Sequence, residues 1–131
     1  DSSSKETNLN GACILVVEDN QVNQLVAREM LESEGVVVRV ADNGEQALIR
    51  LEDKSITYDA ILMDVHMPVM DGFEATKVLR QQGQKMPIYA LTAGVSTEER
   101  IECANIGMNE VLTKPVTLLS LKHALQQVAA G

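Results

Sequence analysis

Short, wholly apolar runs alternate along this chain with stretches in which apolar residues recur every three or four positions. The run "CILVV" (13–17) has no polar alternation, the pattern of a strand buried on both faces. In "VNQLVAREML", Val22, Leu25, Val26 and Met30 fall at i, i+3, i+4 and i+8, one face of a helix. Asn20 stands where an N-cap is expected and Gly35 where a helix stops. "VVVRV" (36–40) reads as a second strand and "NGEQALIRL" as a second short helix. "AILM" (60–63) is a third strand, and Asp71 with Glu74 three residues on resembles a capping box for a helix over "FEATKVLRQQ". "IYAL" (88–91) is the fourth strand. Ser96 and Glu99 make another such box, opening a helix to about Ile106. "EVLT" is a short fifth strand, and Leu118, Leu121, Leu125 and Val128 share one face of a last helix.

Five apolar strands, each followed by a helix, predict an α/β fold with a parallel sheet covered on both faces. In open sheets of this kind ligands sit beyond the carboxyl ends of the strands. The polar, aperiodic "DSSSKETNLN" predicts a disordered tail or linker over 1–11, ahead of a folded domain over 12–131. At 131 residues the chain is one domain's worth and long enough to bury a core. There is no internal repeat.

Charge narrows the partners. Eleven basic residues against 19 acidic ones leave a net charge of −8, which opposes binding to nucleic acid phosphates. The aromatics are Tyr58, Phe73 and Tyr89, too few for a base-stacking platform. No apolar run approaches the roughly 18 residues of a membrane span, and no secretory h-region opens the chain, so a cytoplasmic location and no membrane contact by this domain are expected. The chain starts at Asp1 rather than at a methionine, which suits a piece of a longer protein. Cys13 and Cys103 match no CxxC or zinc spacing and read as free thiols used as small core residues.

The candidate chemistry lies where the strands end. Glu18 and Asp19 follow the first strand, Asp64 the third, Thr92 the fourth and Lys114 the fifth. In a parallel sheet all of these face one edge. Two like charges about 4 Å apart cost roughly 4 kcal/mol at an effective dielectric near 20, and one lysine does not offset three carboxylates. A hard divalent cation with oxygen ligands and retained waters, Mg²⁺, is the economical remedy. A cation beside a carboxylate, with an ammonium and a hydroxyl nearby, is also the apparatus of phosphoryl transfer. Asp64 is then the nucleophile that accepts the phosphoryl group.

"LVVEDN" (15–20), "MDVHMPVMDG" (63–72), "ALTA" (90–93) and "TKP" (113–115) together resemble the receiver domain of two-component response regulators, over about residues 12–130. "VEDNQVNQLVA" and "MPVMDGFEAT" resemble the receivers of hybrid sensor histidine kinases in particular. The resemblance implies a doubly wound (βα)5, flavodoxin-like three-layer sandwich with strand order 2-1-3-4-5. It makes Asp64 the phosphoacceptor and Asp19 the direct metal-binding acid. Glu18 becomes the neighbouring acid that holds a metal water, and the backbone carbonyl of His66 a further metal ligand. Thr92 is implied as the hydroxyl that follows the phosphoryl group and Lys114 as the lysine that pairs with it, with a cis Lys114–Pro115 peptide. The implied partners are a histidine kinase or a histidine phosphotransfer domain, with the fragment a monomer and no enzyme beyond gaining and losing its own phosphoryl group.

Other readings of the same residues stand beside this one. The imidazole of His66 reads as a rim group rather than a ligand, His123 as surface, and Met63, Met67 and Met70 as packing. A flavin site in the first loop is opposed by the acidity of "EDNQ". A D-x-D phosphatase is opposed by His66 in the place of its second acid. A degenerate receiver that only docks proteins is the alternative within the family. Two departures from the family pattern bear on function: Val111 stands where an aromatic is common, three residues before the lysine, and Gly94 leaves the site open.

Overall fold

The computed structural model describes residues 11–130 except positions 66, 68, 95 and 115, with side chains as far as Leu125. Five strands, β1 (Cys13–Val17), β2 (Val37–Ala41), β3 (Ala60–Asp64), β4 (Ile88–Thr92) and β5 (Glu110–Thr113), alternate with five helices. These are α1 (Gln21–Glu32), α2 (Gly44–Glu52), α3 (Gly72–Gln81), α4 (Thr97–Ile106) and α5 (Leu118–Ala130). The strands pair in parallel in the order β2-β1-β3-β4-β5. The order reverses between β1 and β3, which opens a crevice at their carboxyl ends.

The sheet separates two cores. On one face Leu15, Val17, Ile61 and Met63 pack with Ala47 and Leu51 of α2, Ala75 and Leu79 of α3 and Cys103 of α4. On the other, Ile14, Val16, Leu62 and Leu91 pack with Ala27 and Leu31 of α1 and Leu121, Ala124 and Leu125 of α5. Every residue of β3 and β4 is buried, as their unbroken apolar runs predict. Cys13 and Cys103 are free thiols, the first packed against the core and the second buried.

The caps follow the sequence closely. Asn20 accepts from the Asn23 N–H, and Ser96 and Glu99 form a reciprocal capping box. At Asp71 the described bond runs one way, from the Glu74 N–H to Asp71 Oδ1.

One expectation is corrected, and one feature of α1 is new. The second strand starts at Val37, because the Val36 N–H is taken by Leu31 O in the turn closing α1, while the Val37 N–H reaches Ala12 O. On α1 the large apolar face is not the buried one. Val22, Leu25 and Val26 are 68%, 55% and 40% exposed, and the helix buries Ala27 and Leu31. A small residue at the contact lets the helix approach the sheet, and the phase of the helix follows that contact. Of the tail expected over 1–11, residues 1–10 lie outside the described residues, while the Gly11 N–H donates to Gly35 O at 2.9 Å; the side chain of Val128 also lies outside them.

One glycine holds α3 against β3. A Cβ at Gly72 would press on the Asp64 carbonyl oxygen and stand 2.9 Å from Met63 Cγ, while the Gly72 N–H donates to Val65 O at 3.0 Å. Gly72→Ala is therefore expected to destabilise the domain by about 2–3 kcal/mol, read as a lower midpoint in urea unfolding. Gly94→Ala, where a Cβ meets nothing within 4 Å, should leave the midpoint nearly unchanged.

Candidate functional site

Parallel register carries the ends of β1, β3, β4 and β5 to one edge. Glu18 continues β1 by donating its N–H to Ala41 O at 3.0 Å. Its carboxylate is buried, and Oε2 accepts from the Asn20 N–H at 3.1 Å. Asp64 closes β3 and is likewise buried. Lys114 follows β5, its N–H bonded to Thr92 O at 2.7 Å, so the end of β4 anchors the turn that carries the lysine.

The Lys114 ammonium lies 2.8 Å from Glu18 Oε1 and 3.0 Å from Asp64 Oδ2, joining the two buried carboxylates. Burial works against its charge, but the hydrogen bonds to Glu18 and Asp64 outweigh that, and its pKa is raised above the ordinary lysine value. The lysine is therefore a cation throughout the neutral range.

Glu18, Asp19 and Asp64 each place one carboxylate oxygen within 4.8 Å of the others. Asp19 is exposed while the other two are buried, so the cluster opens to solvent on the Asp19 side. Among the described residues, three carboxylates stand against one ammonium, an excess of negative charge. Oxygen donors at this spacing with an open side fit a hard cation that keeps some of its waters.

Thr92 is buried at the same edge, but its described hydrogen bonds stay within its own loop. Oγ1 donates to Gly94 O at 3.1 Å and accepts from the Gly94 N–H at 3.3 Å. Val111 is partly buried against the core on the face of α2, α3 and α4. In the β3–α3 loop Val69 has φ +71°, a strained conformation for a β-branched residue. His123 is exposed on α5. The His66 carbonyl and the Lys114–Pro115 peptide lie outside the described residues.

Sequence reasoning missed one set of supports. Gln24 Nε2 donates to Glu18 O and, at 2.8 Å, to Asp42 Oδ1, which ties the β1–α1 turn to the end of β2. The signal was available. Asp42 follows β2 as Asp64 closes β3, but ending that strand at position 40 hides it.

Comparison with known proteins agrees with this geometry. The family model described as response regulator receiver domain matches residues 14–126. The osmosensing histidine protein kinase SLN1 of Saccharomyces cerevisiae is 39% identical over 136 residues, covering all of this chain and 11% of the kinase. The chain thus spans a small share of such relatives; for the sensor protein EvgS of Escherichia coli K12, 41% identical over 88% of this chain, the share is 9%. Among solved structures, the receiver domain of a Pseudomonas aeruginosa sensor histidine kinase, with magnesium in its active site cleft, superposes with a TM-score of 0.82. It is 42% identical, and the match covers 92% of this chain and 99% of that one. The Saccharomyces cerevisiae response regulator receiver co-crystallised with its histidine phosphotransfer protein gives 0.84 at 28% identity, over 93% and 91% of the two chains.

Proposed function

The chain belongs to the response regulator receiver domain family, and from that premise we propose that it is the phosphoacceptor of a two-component phosphorelay, with Asp64 as the accepting residue. The observation that carries this reading is a buried strand-end carboxylate bonded at 3.0 Å to a lysine, within the Glu18, Asp19 and Asp64 cluster. In the reaction an Asp64 carboxylate oxygen attacks the phosphorus of a phosphohistidine. A P–O bond forms, the P–N bond breaks, and the electron pair leaves with the imidazole. Lys114 passes from the Asp64 carboxylate to an oxygen of the arriving phosphoryl group. Thr92 gives up Gly94 O to donate to another. Glu18, Asp19 and Asp64 would hold Mg²⁺, which supplies charge neutralisation at the phosphoryl oxygens. The family resemblance adds the His66 carbonyl to that set.

The domain then runs from about residue 12, is not an enzyme with an external substrate, and belongs to a hybrid histidine kinase of the kind its relatives are. No described helix is long and apolar enough to cross a membrane. Incubation with acetyl phosphate and Mg²⁺ should add one phosphoryl group by intact mass. Full labelling in EDTA would sink the metal-assisted reading.

The partner proposed is a histidine phosphotransfer domain, docking on the apolar face that α1 leaves in water beside the site. Leu25→Glu should slow phosphotransfer from such a protein donor by roughly tenfold or more and leave labelling by acetyl phosphate unchanged. Equal slowing with both donors would place the partner elsewhere.

The conformational response is proposed to be small. In receivers that switch, an aromatic at the position of Val111 exchanges a large exposed setting for a buried one. Val111 is short, β-branched and already packed, so the differential contacts between two states shrink. Beryllofluoride with Mg²⁺ should shift amides around Asp19, Asp64, Thr92 and Lys114. Comparable shifts through 97–112 and α5 would overturn this.

A further inference from the structure

The arginines of this acidic chain are not spread evenly. There are five, and three of them, Arg28, Arg39 and Arg50, line one open groove of about 460 Å³. The remaining lining is Val37, Val38 and Val40 of β2, an edge strand.

The backbone of that edge has a definite polarity. Val37 donates to Ala12 O and Ala41 O accepts from Glu18, so residues 37, 39 and 41 turn their peptide groups toward β1. By strand alternation, Val38 and Val40 turn theirs to the open side. The Val40 carbonyl there takes Arg50 Nε at 2.9 Å. By the same alternation the N–H and C=O of Val38 and the N–H of Val40 face the groove, and no described hydrogen bond between loops or side chains takes them. Val38 and Val40 pack with α1, so Arg28 flanks this backbone on one face of the sheet. Ala41 packs with α2, so Arg39 and Arg50 flank it on the other.

We propose that this edge is a docking site for an extended, acidic peptide segment that adds to β2 as a sixth strand. Main-chain hydrogen bonds at Val38 and Val40 supply its register. Its carboxylates face Arg39 and Arg50 on one side and Arg28 on the other, where guanidinium geometry suits bidentate pairing. Arg28 is drawn from its exposed surface pair with Glu32, at 3.0 Å, which costs little to exchange. A second copy of this chain is a poor occupant, because β2 against β2 sets the same arginines against one another. Basic segments are excluded on the same ground. The site is independent of the phosphoacceptor reading, since none of its residues belongs to the Glu18, Asp19, Asp64 and Lys114 cluster.

The test titrates the domain with a capped octapeptide of threonine and glutamate, beside the same peptide with glutamine for glutamate. Binding should shift the amides of 37–41 and slow hydrogen exchange at Val38 and Val40. It should weaken roughly tenfold in Arg39→Glu and fall with added salt. Arg39 is exposed, so that variant should fold and still be labelled by acetyl phosphate, which keeps failure here distinct from failure of the phosphoacceptor proposal. No binding, or equal binding of the glutamine peptide, overturns the proposal. Binding without protection of the Val38 and Val40 amides also overturns it, because the arginines would then act as a charge patch and not as a strand acceptor.

Discussion

Asp64→Asn should leave the domain folded and abolish its phosphorylation, from acetyl phosphate and from a phosphohistidine donor alike. An amide nitrogen or oxygen is a far weaker nucleophile than a carboxylate, and Asp64 is the acid that ends the central strand β3. The change is nearly isosteric, and removing one of three crowded carboxylates relieves repulsion. The expected stability change is therefore small. Lys114 keeps its 2.8 Å bond to Glu18 and so is not left as an uncompensated charge. Intact mass after incubation with donor and Mg²⁺ reads the result. A variant that still gained one phosphoryl group would move the acceptor to another acid, with Asp19 the first to examine. A variant that unfolded would instead show Asp64 to be needed for the fold.

Mg²⁺ affinity should separate the two acids after β1. Asp19→Asn is expected to weaken it by roughly tenfold or more, and Glu18→Gln by distinctly less. Both carboxylate oxygens of Glu18 are already engaged, Oε1 with Lys114 and Oε2 with the Asn20 N–H. Asp19 is the exposed member, on the side of the cluster open to solvent. The chain has no tryptophan, so the titration is followed by amide shifts. Equal losses in the two variants would make Glu18 a direct ligand. A larger loss in Glu18→Gln would reverse the assignment.

Much of the architecture was legible because its signals are local. Buried parallel strands require uninterrupted apolar runs, and "AILM" and "IYAL" are such runs in a chain otherwise rich in charge. Helix starts depend on one side chain three residues before the N–H it accepts from, which is why Asn20 and Ser96 were found. The candidate site was legible for a related reason: in a parallel sheet strand ends converge, so Glu18, Asp64 and Lys114 meet although Lys114 and Asp64 are 50 positions apart. What the periodicity left undecided depended on more than one element. Val22, Leu25 and Val26 have the spacing of a core face, yet a helix turns toward whichever residues let it approach the sheet, and here those are Ala27 and Leu31.

The amino-acid order alone settled the alternation of strand and helix, the caps at Asn20 and Ser96, and the residues that end β1, β3, β4 and β5, though not those that end β2, because each rests on periodicity or on contacts within a few residues. That Lys114 bonds Glu18 as well as Asp64, that Gln24 ties Glu18 to Asp42, and that Thr92 turns to Gly94 came from the packing of the elements. The same packing also decided which face of α1 stays in water and that three arginines gather on the β2 edge. These depend on how rigid elements come to rest against one another, and a distance between side chains on separate elements leaves no periodic trace along the chain.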